Sequence, residues 1–96
     1  MVRELENDKP SDPLLLDALG WVLYRAQDTR RARELLEAAV KGAPDEPSLH
    51  FHLAALYAQE KMKDRAREEL KAALDSRRPF AERLDAMRLL RENSSL

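Results

Sequence analysis

The chain has 96 residues, 17 Lys plus Arg set against 18 Asp plus Glu, and no cysteine. A chain of this length makes one domain that buries about 60–65% of its unfolded surface, and its balanced charge argues against a dedicated binder of polyanions such as DNA. Lack of cysteine excludes disulfides, a thiolate nucleophile and zinc–thiolate sites, and no run of about 18 apolar residues is present to span a membrane.

Residues 1–11 are charged rather than apolar, unlike an export signal. Pro10 stands thirty-four places before Pro44, which puts Met1 to Asp8 in register with Leu35 to Gly42. This lead is expected to be either the remnant of a preceding second helix, with Val2 and Leu5 as its apolar residues, or a flexible segment. Asp12 and Pro13 then open a first helix, the carboxylate as an acceptor for free amides and the proline with φ preset for the first turn. Leu15, Leu16, Leu19, Val22 and Leu23 give it an apolar stripe to about Ala26. Asp28 or Thr29 is expected to cap a second helix, from about Arg30 to Lys41, on which Ala32, Leu35, Leu36, Ala39 and Val40 keep helical spacing. Gly42, able to take a left-handed conformation, and Pro44, unable to continue a helix, are expected to stop it.

The plan then repeats. At an offset of thirty-four, Leu15, Leu19, Arg31, Ala32, Arg33, Glu34, Leu36, Ala38 and Ala39 recur as Leu49, Leu53, Arg65, Ala66, Arg67, Glu68, Leu70, Ala72 and Ala73. Glu46 and Pro47 open a third helix to about Glu60, and Lys63 or Asp64 opens a fourth to about Asp75. Lys61, Met62 and Lys63 supply no good cap, which leaves that turn open by several residues. After Pro79 a fifth helix is predicted from about Phe80 to Glu92, with Leu84, Met87 and Leu90 on its apolar side. It is expected to cap the stack with a wet outer surface. Self-similarity at this period means stacked helical hairpins. The predicted fold is all-α: an α-solenoid of two hairpins, residues 12–45 and 46–79, plus a capping helix over 80–93 and a frayed tail over 94–96.

These positions resemble the tetratricopeptide repeat, whose pattern is a large residue, Leu, Gly and Tyr on the first helix and Ala, an aromatic, Ala and Pro on the second. Unit one reads Leu16, Leu19, Gly20, Leu23, Ala32, Leu36, Ala39 and Pro44. Unit two reads His50, Leu53, Ala54, Tyr57, Ala66, Leu70 and Ala73, with its proline one place late at Pro79. Gly20, Ala32, Ala54 and Ala66 are small where the two helices of a hairpin cross closely. His50 for the usual aromatic, and Leu36 and Leu70 for Phe, keep volume. The string from Asp17 to Arg25, with Arg78, Pro79, Phe80, Leu89 and Leu90, is similar to the ends of bacterial arrays of this kind, including exopolysaccharide-system lipoproteins. The compartment, cytoplasm or periplasm, stays open.

In this family the first helices line a concave groove, and the resemblance puts Asp17, Trp21, Tyr24, Arg25, Phe51, Ala55, Ala58 and Gln59 on it. The implied function is a protein–protein interaction module and scaffold that binds a peptide or a partner's helix, with no cofactor, no nucleic acid and no membrane insertion. Trp21 and Phe51 are the candidate anchors, although Trp21 can equally serve as packing between helices. Two alternatives stand beside it: a self-association module dimerising through Val2, Leu5, Leu15, Ala18 and Val22, or a regulatory segment of a larger protein.

Catalysis finds little support. His50 and His52 point about 200° apart on one helix and cannot share a metal unaided, and His50 falls at an inward, packed position. No Gly-rich phosphate loop, no thiol and no Ser–base pair is present, and Asp17, Glu46 and Glu60 lack an apolar pocket for acid–base work. The basic turns, Arg30, Arg31, Arg33, Lys61, Lys63, Arg65 and Arg67, alternate with Glu34, Glu37, Glu68 and Glu69 as a solvated face does. One subtype of the family clamps a terminal carboxylate with Lys and Asn, where this chain has Asp17, Trp21 and Ala55. A peptide ending in EEVD is therefore expected to give no calorimetric binding signal, and micromolar affinity would overturn that expectation.

Overall fold

The computed structural model describes residues 12–94, and all regular structure among them is helical: α1 (Pro13–Arg25), α2 (Thr29–Gly42), α3 (Pro47–Gln59), α4 (Lys63–Asp75) and α5 (Arg83–Ser94). The amide of Leu14 donates to the Asp12 carboxylate at 3.0 Å, and Pro13 and Pro47 occupy the opening turns of α1 and α3. Asp28 makes no capping bond at the start of α2; its carboxylate faces Arg31 at 3.6 Å instead.

Both hairpin turns close in the same way. Gln27 and Lys61, thirty-four residues apart, hold φ of 68° and 63°. The next amides, Asp28 N–H and Met62 N–H, reach back to the Leu23 and Tyr57 carbonyls at 2.9 and 2.8 Å, while Gln27 and Lys61 themselves donate to Tyr24 and Ala58. This is a Schellman closure, which satisfies the last carbonyls of a helix without a side-chain cap on the next one. Met62 packs against the core cluster that contains Tyr57 and supplies an apolar contact at this turn. The turn that lacked a capping residue in the sequence is thus built from backbone. Gly42, expected to be left-handed, is not: the described residues include no glycine of positive φ, and Gly42 is the last residue of α2, with Ala43 as its C-cap. Its bare Cα matters for space, since a Cβ there would lie 3.0 Å from Cγ of Pro13.

Each helix packs on its chain neighbours, and α1, α3 and α5 also touch in succession. Ala32, Leu36, Leu53, Leu56, Tyr57 and Ala66 form one core cluster where the hairpins meet, and Ala54, Leu70 and Ala86 form another where α5 lies on the second hairpin. The four small residues expected at the crossings, Gly20, Ala32, Ala54 and Ala66, are all buried. Across the junction the Tyr57 hydroxyl donates to Glu37 at 2.5 Å. Burial, reinforced by that carboxylate, pushes its phenol up to about 12.

α5 presents a different face from the one expected. Leu84 and Met87 are 78% and 50% exposed, whereas Ala86 and Asn93 are buried and Leu89 and Leu90 pack on the second cluster. Phe80 packs there too, ahead of the helix, which starts at Arg83. The small Ala86 lets the helix approach Ala54 and Leu70, and Asn93 fits because its side-chain amide donates to the Leu89 carbonyl at 2.8 Å while its main-chain carbonyl accepts from Arg67 at 2.7 Å. The cap's outer surface is therefore partly apolar.

Gly20 is the tightest crossing: a Cβ would stand 2.9 Å from Cγ of Leu36 and 3.2 Å from Cβ of Leu35, both on α2. Replacing Gly20 by Leu is expected to cost about 1–3 kcal/mol or more by overpacking. In a domain of this size that lowers Tm by roughly 5–20 °C, which a thermal melt followed by circular dichroism measures.

Candidate functional site

One side of the molecule is built from faces of α1 and α3 together with α5. Trp21 of α1 stacks on Tyr24, one helical turn away, with ring centroids 4.8 Å apart, and on His52 of α3 at 4.2 Å. Phe51 lies tilted against His52 at 6.0 Å. The result is a row of four rings, Tyr24, Trp21, His52 and Phe51, crossing from the first repeat to the second. Trp21 and Phe51 are half-buried: each packs sideways on its neighbours and keeps part of its ring open. Burial also pushes the Tyr24 phenol above its ordinary value.

Beneath the rings Asp17 is buried and its carboxylate accepts from His52 Nδ1 at 2.8 and 2.9 Å. The other ring nitrogen, Nε2, faces Glu82 at 3.7 Å, and Glu82 accepts from the Ser48 hydroxyl at 3.0 Å. One imidazole thus joins α1, α3 and the turn that leads into α5. Because the carboxylates sit on opposite edges of that imidazole, the three side chains do not converge on one point. Among the described residues no set of three potential ligands gathers for a metal ion.

Alongside the ring row runs an open cleft of about 520 Å³, with Tyr24 on one wall, Leu89, Glu92 and Asn93 on the other, and Ala55, Ala58 and Gln59 between them. A second depression of about 440 Å³ continues it past Phe51 and Ala55 to Asp85, Arg88 and Leu89. Small residues on α3 make the floor. Tyr24, Phe51, Ala55, Ala58 and Gln59 line these clefts, Trp21 stands beside them in the ring row with the buried Asp17 reached through His52, and Arg25 is exposed and lines neither cleft. Sequence reasoning missed His52 and the α5 wall. The signal was present: Asp85, Leu89 and Asn93 stand thirty-four places after Phe51, Ala55 and Gln59, and treating α5 only as a lid hid it.

The remaining expected residues lie elsewhere. Leu15, Ala18 and Val22 are exposed on the other side of α1, and Val2 and Leu5 fall outside the described residues. Several basic side chains of the turns are engaged within the molecule: Arg65 sits 5.9 Å from the Tyr57 ring, Arg33 reaches the Met62 sulfur at 3.9 Å, and Arg67 pairs with Asp64 as well as with Asn93.

A tetratricopeptide repeat family model matches residues 23–90 of the chain. The protein belongs to the tetratricopeptide repeat family. No curated protein and no solved structure matches it, so the narrower likeness to exopolysaccharide-system lipoproteins is not confirmed. Tetratricopeptide repeats generally mediate protein–protein interaction and scaffolding, and are typically non-catalytic. Among the described residues no helix of this tetratricopeptide protein is long and apolar enough to cross a membrane.

His50, expected to be packed inward, is buried between two acceptors. Nδ1 lies 2.7 Å from Glu69 of α4 and Nε2 lies 2.8 Å from the Pro44 carbonyl before α3. Both nitrogens must donate to satisfy both partners, which requires the imidazolium. Its pKa is raised, chiefly by the hydrogen bond to Glu69, with burial opposing and the Pro44 carbonyl helping. A folded-state pKa above the unfolded value of about 6.5 means that this stabilisation is complete below about pH 6.5 and is lost as pH rises through the folded value. The Tm gap between the parent chain and His50→Gln is expected to be widest near about pH 6 and to narrow towards about pH 9. A gap that stayed constant in thermal melts across that range would contradict it.

Proposed function

We propose that the groove formed by α1, α3 and α5 binds an extended peptide or one helix of a partner protein, and that the module serves as a scaffold. The observation that carries this reading is the row Tyr24, Trp21, His52 and Phe51 set beside a floor of Ala55 and Ala58. Flat rings supply apolar contact area at low entropic cost, and small floor residues leave room for backbone to approach. The Asp17–His52–Glu82 bridge supports it further, because it holds the three groove-forming segments in fixed relation before any ligand arrives. Glu92, Gln59 and Asn93 at one end, with Asp85 and Arg88 at the other, offer polar groups to orient a ligand. Nothing here requires chemistry. Self-association is the rival use of the molecule, and it draws on the opposite face of α1 rather than on the groove.

Selection from a random peptide library against the chain is expected to yield ligands whose affinity falls about tenfold or more when Trp21 and Phe51 are both changed to Ala. Ala55→Arg, which fills the floor from a partly exposed position, is expected to do the same with the fold intact. Val22→Asp, on the far side of α1, should leave affinity unchanged. Selected peptides that bind all three variants equally would reject the groove.

A further inference from the structure

The wider of the two clefts is electrically one-sided. Tyr24 stands in the last turn of α1, Gln59 is the last residue of α3, and Glu92 and Asn93 lie in the last turn of α5; all four line the cleft of about 520 Å³. Asp17 meets His52 part-way along α1 and α3, and Ser48 in the first turn of α3 bonds to Glu82 just ahead of α5. The three helices therefore run the same way, and their carboxyl ends converge on one cleft. Aligned peptide dipoles give each such end a partial negative charge of about half an elementary charge. Schellman hydrogen bonds satisfy several of the last carbonyls of α1 and α3 but leave the dipoles aligned.

We propose that this cleft receives the side chain of a lysine or arginine, so that the ligand of the module is a basic segment of its partner. The inference rests on the groove reading above and names the ligand class that the groove takes. Among the described residues Glu92 is the one charged side chain lining this cleft; it is exposed, and none of them forms an ion pair with it. On the opposite wall Trp21 stacks on one face of Tyr24, and the rest of the Tyr24 ring lines the cleft, a π surface that attracts a cation. Leu89, Ala55 and Ala58 between them offer apolar surface to the long stem of a basic side chain, whose charged head then reaches the carboxylate. The nearby cations of the protein point elsewhere: Arg67 engages the Asn93 main-chain carbonyl and Asp64, Arg88 pairs with Asp85 in the second depression, and Arg25 lines neither cleft. An acidic ligand would instead meet a carboxylate and three negative helix ends.

The test uses the full 96-residue chain and peptides selected on it from a random library. A basic residue is expected to recur at one position of those peptides. Replacing that lysine by norleucine, or that arginine by citrulline, keeps the stem and removes the charge, and is expected to weaken binding about five- to tenfold in calorimetry at low salt, less at high salt. Glu92→Gln is expected to cost the charged peptide about three- to tenfold and its uncharged analogue nothing, so that the two changes are coupled. Glu34→Gln, an equal change of charge on α2 that lines neither cleft, should leave both peptides unaffected. Peptides that lose affinity on Trp21→Ala plus Phe51→Ala yet carry no recurrent basic residue, or that respond to Glu92→Gln equally with and without their charge, would overturn the cation subsite and leave the groove standing. Peptides indifferent to Trp21→Ala plus Phe51→Ala would overturn groove and subsite together.

Discussion

The closest approach of paired helices governs everything else in this protein. At Gly20 against Leu36, and again at Ala54 against Leu70, one helix presents almost no side chain and the other a fully buried leucine. Dispersion contacts fall off steeply with distance, so the leucine counts fully only if the opposing backbone is bare enough to touch it. With that contact made twice at the same register, each hairpin becomes a rigid unit with an apolar edge it cannot cover itself. Stacking follows, and the first helices come to lie side by side. The groove is a by-product of this order: its walls belong to three segments far apart in the chain, aligned because every unit has the same crossing.

Two polar contacts then lock the stack in relative position. His50 joins the Pro44 carbonyl to Glu69, tying the link between repeats to the far helix of the second hairpin, and His52 lies between Asp17 of α1 and Glu82 before α5. Two residues apart in sequence, the two histidines work on opposite sides of α3. The buried His50 ring, both of whose nitrogens meet acceptors, fixes orientation in a way that apolar packing does not, because a slip of one residue would strand the acceptors. A lattice of leucine and alanine alone tolerates small shifts; these imidazoles define one register.

Much of the architecture could be read from periodicity. The prolines at 10, 13, 44 and 47, the small residues at the crossings and the leucines between them depend on backbone sterics and local spacing, and both repeat at one interval. What stayed hidden depends on choices between near-equal faces or on backbone alone. On α5 two apolar stripes compete, and only the site into which the helix docks decides that Ala86, Leu89 and Leu90 face inward while Leu84 and Met87 face water. The turn at Lys61 closes through main-chain hydrogen bonds, which leave little trace in side-chain identity. The role of His52 required knowing that Asp17 and Glu82 flank it in space.

Trp21 is the one tryptophan of the chain, and it stacks on an imidazole in the ring row beside the cleft. Indole emission responds to nearby rings, to charge and to the polarity of adjoining solvent, so light emitted by this protein under ultraviolet excitation originates almost entirely from the surface proposed for recognition. The molecule carries a built-in optical reporter whose colour and brightness register whatever displaces water there, with no label attached.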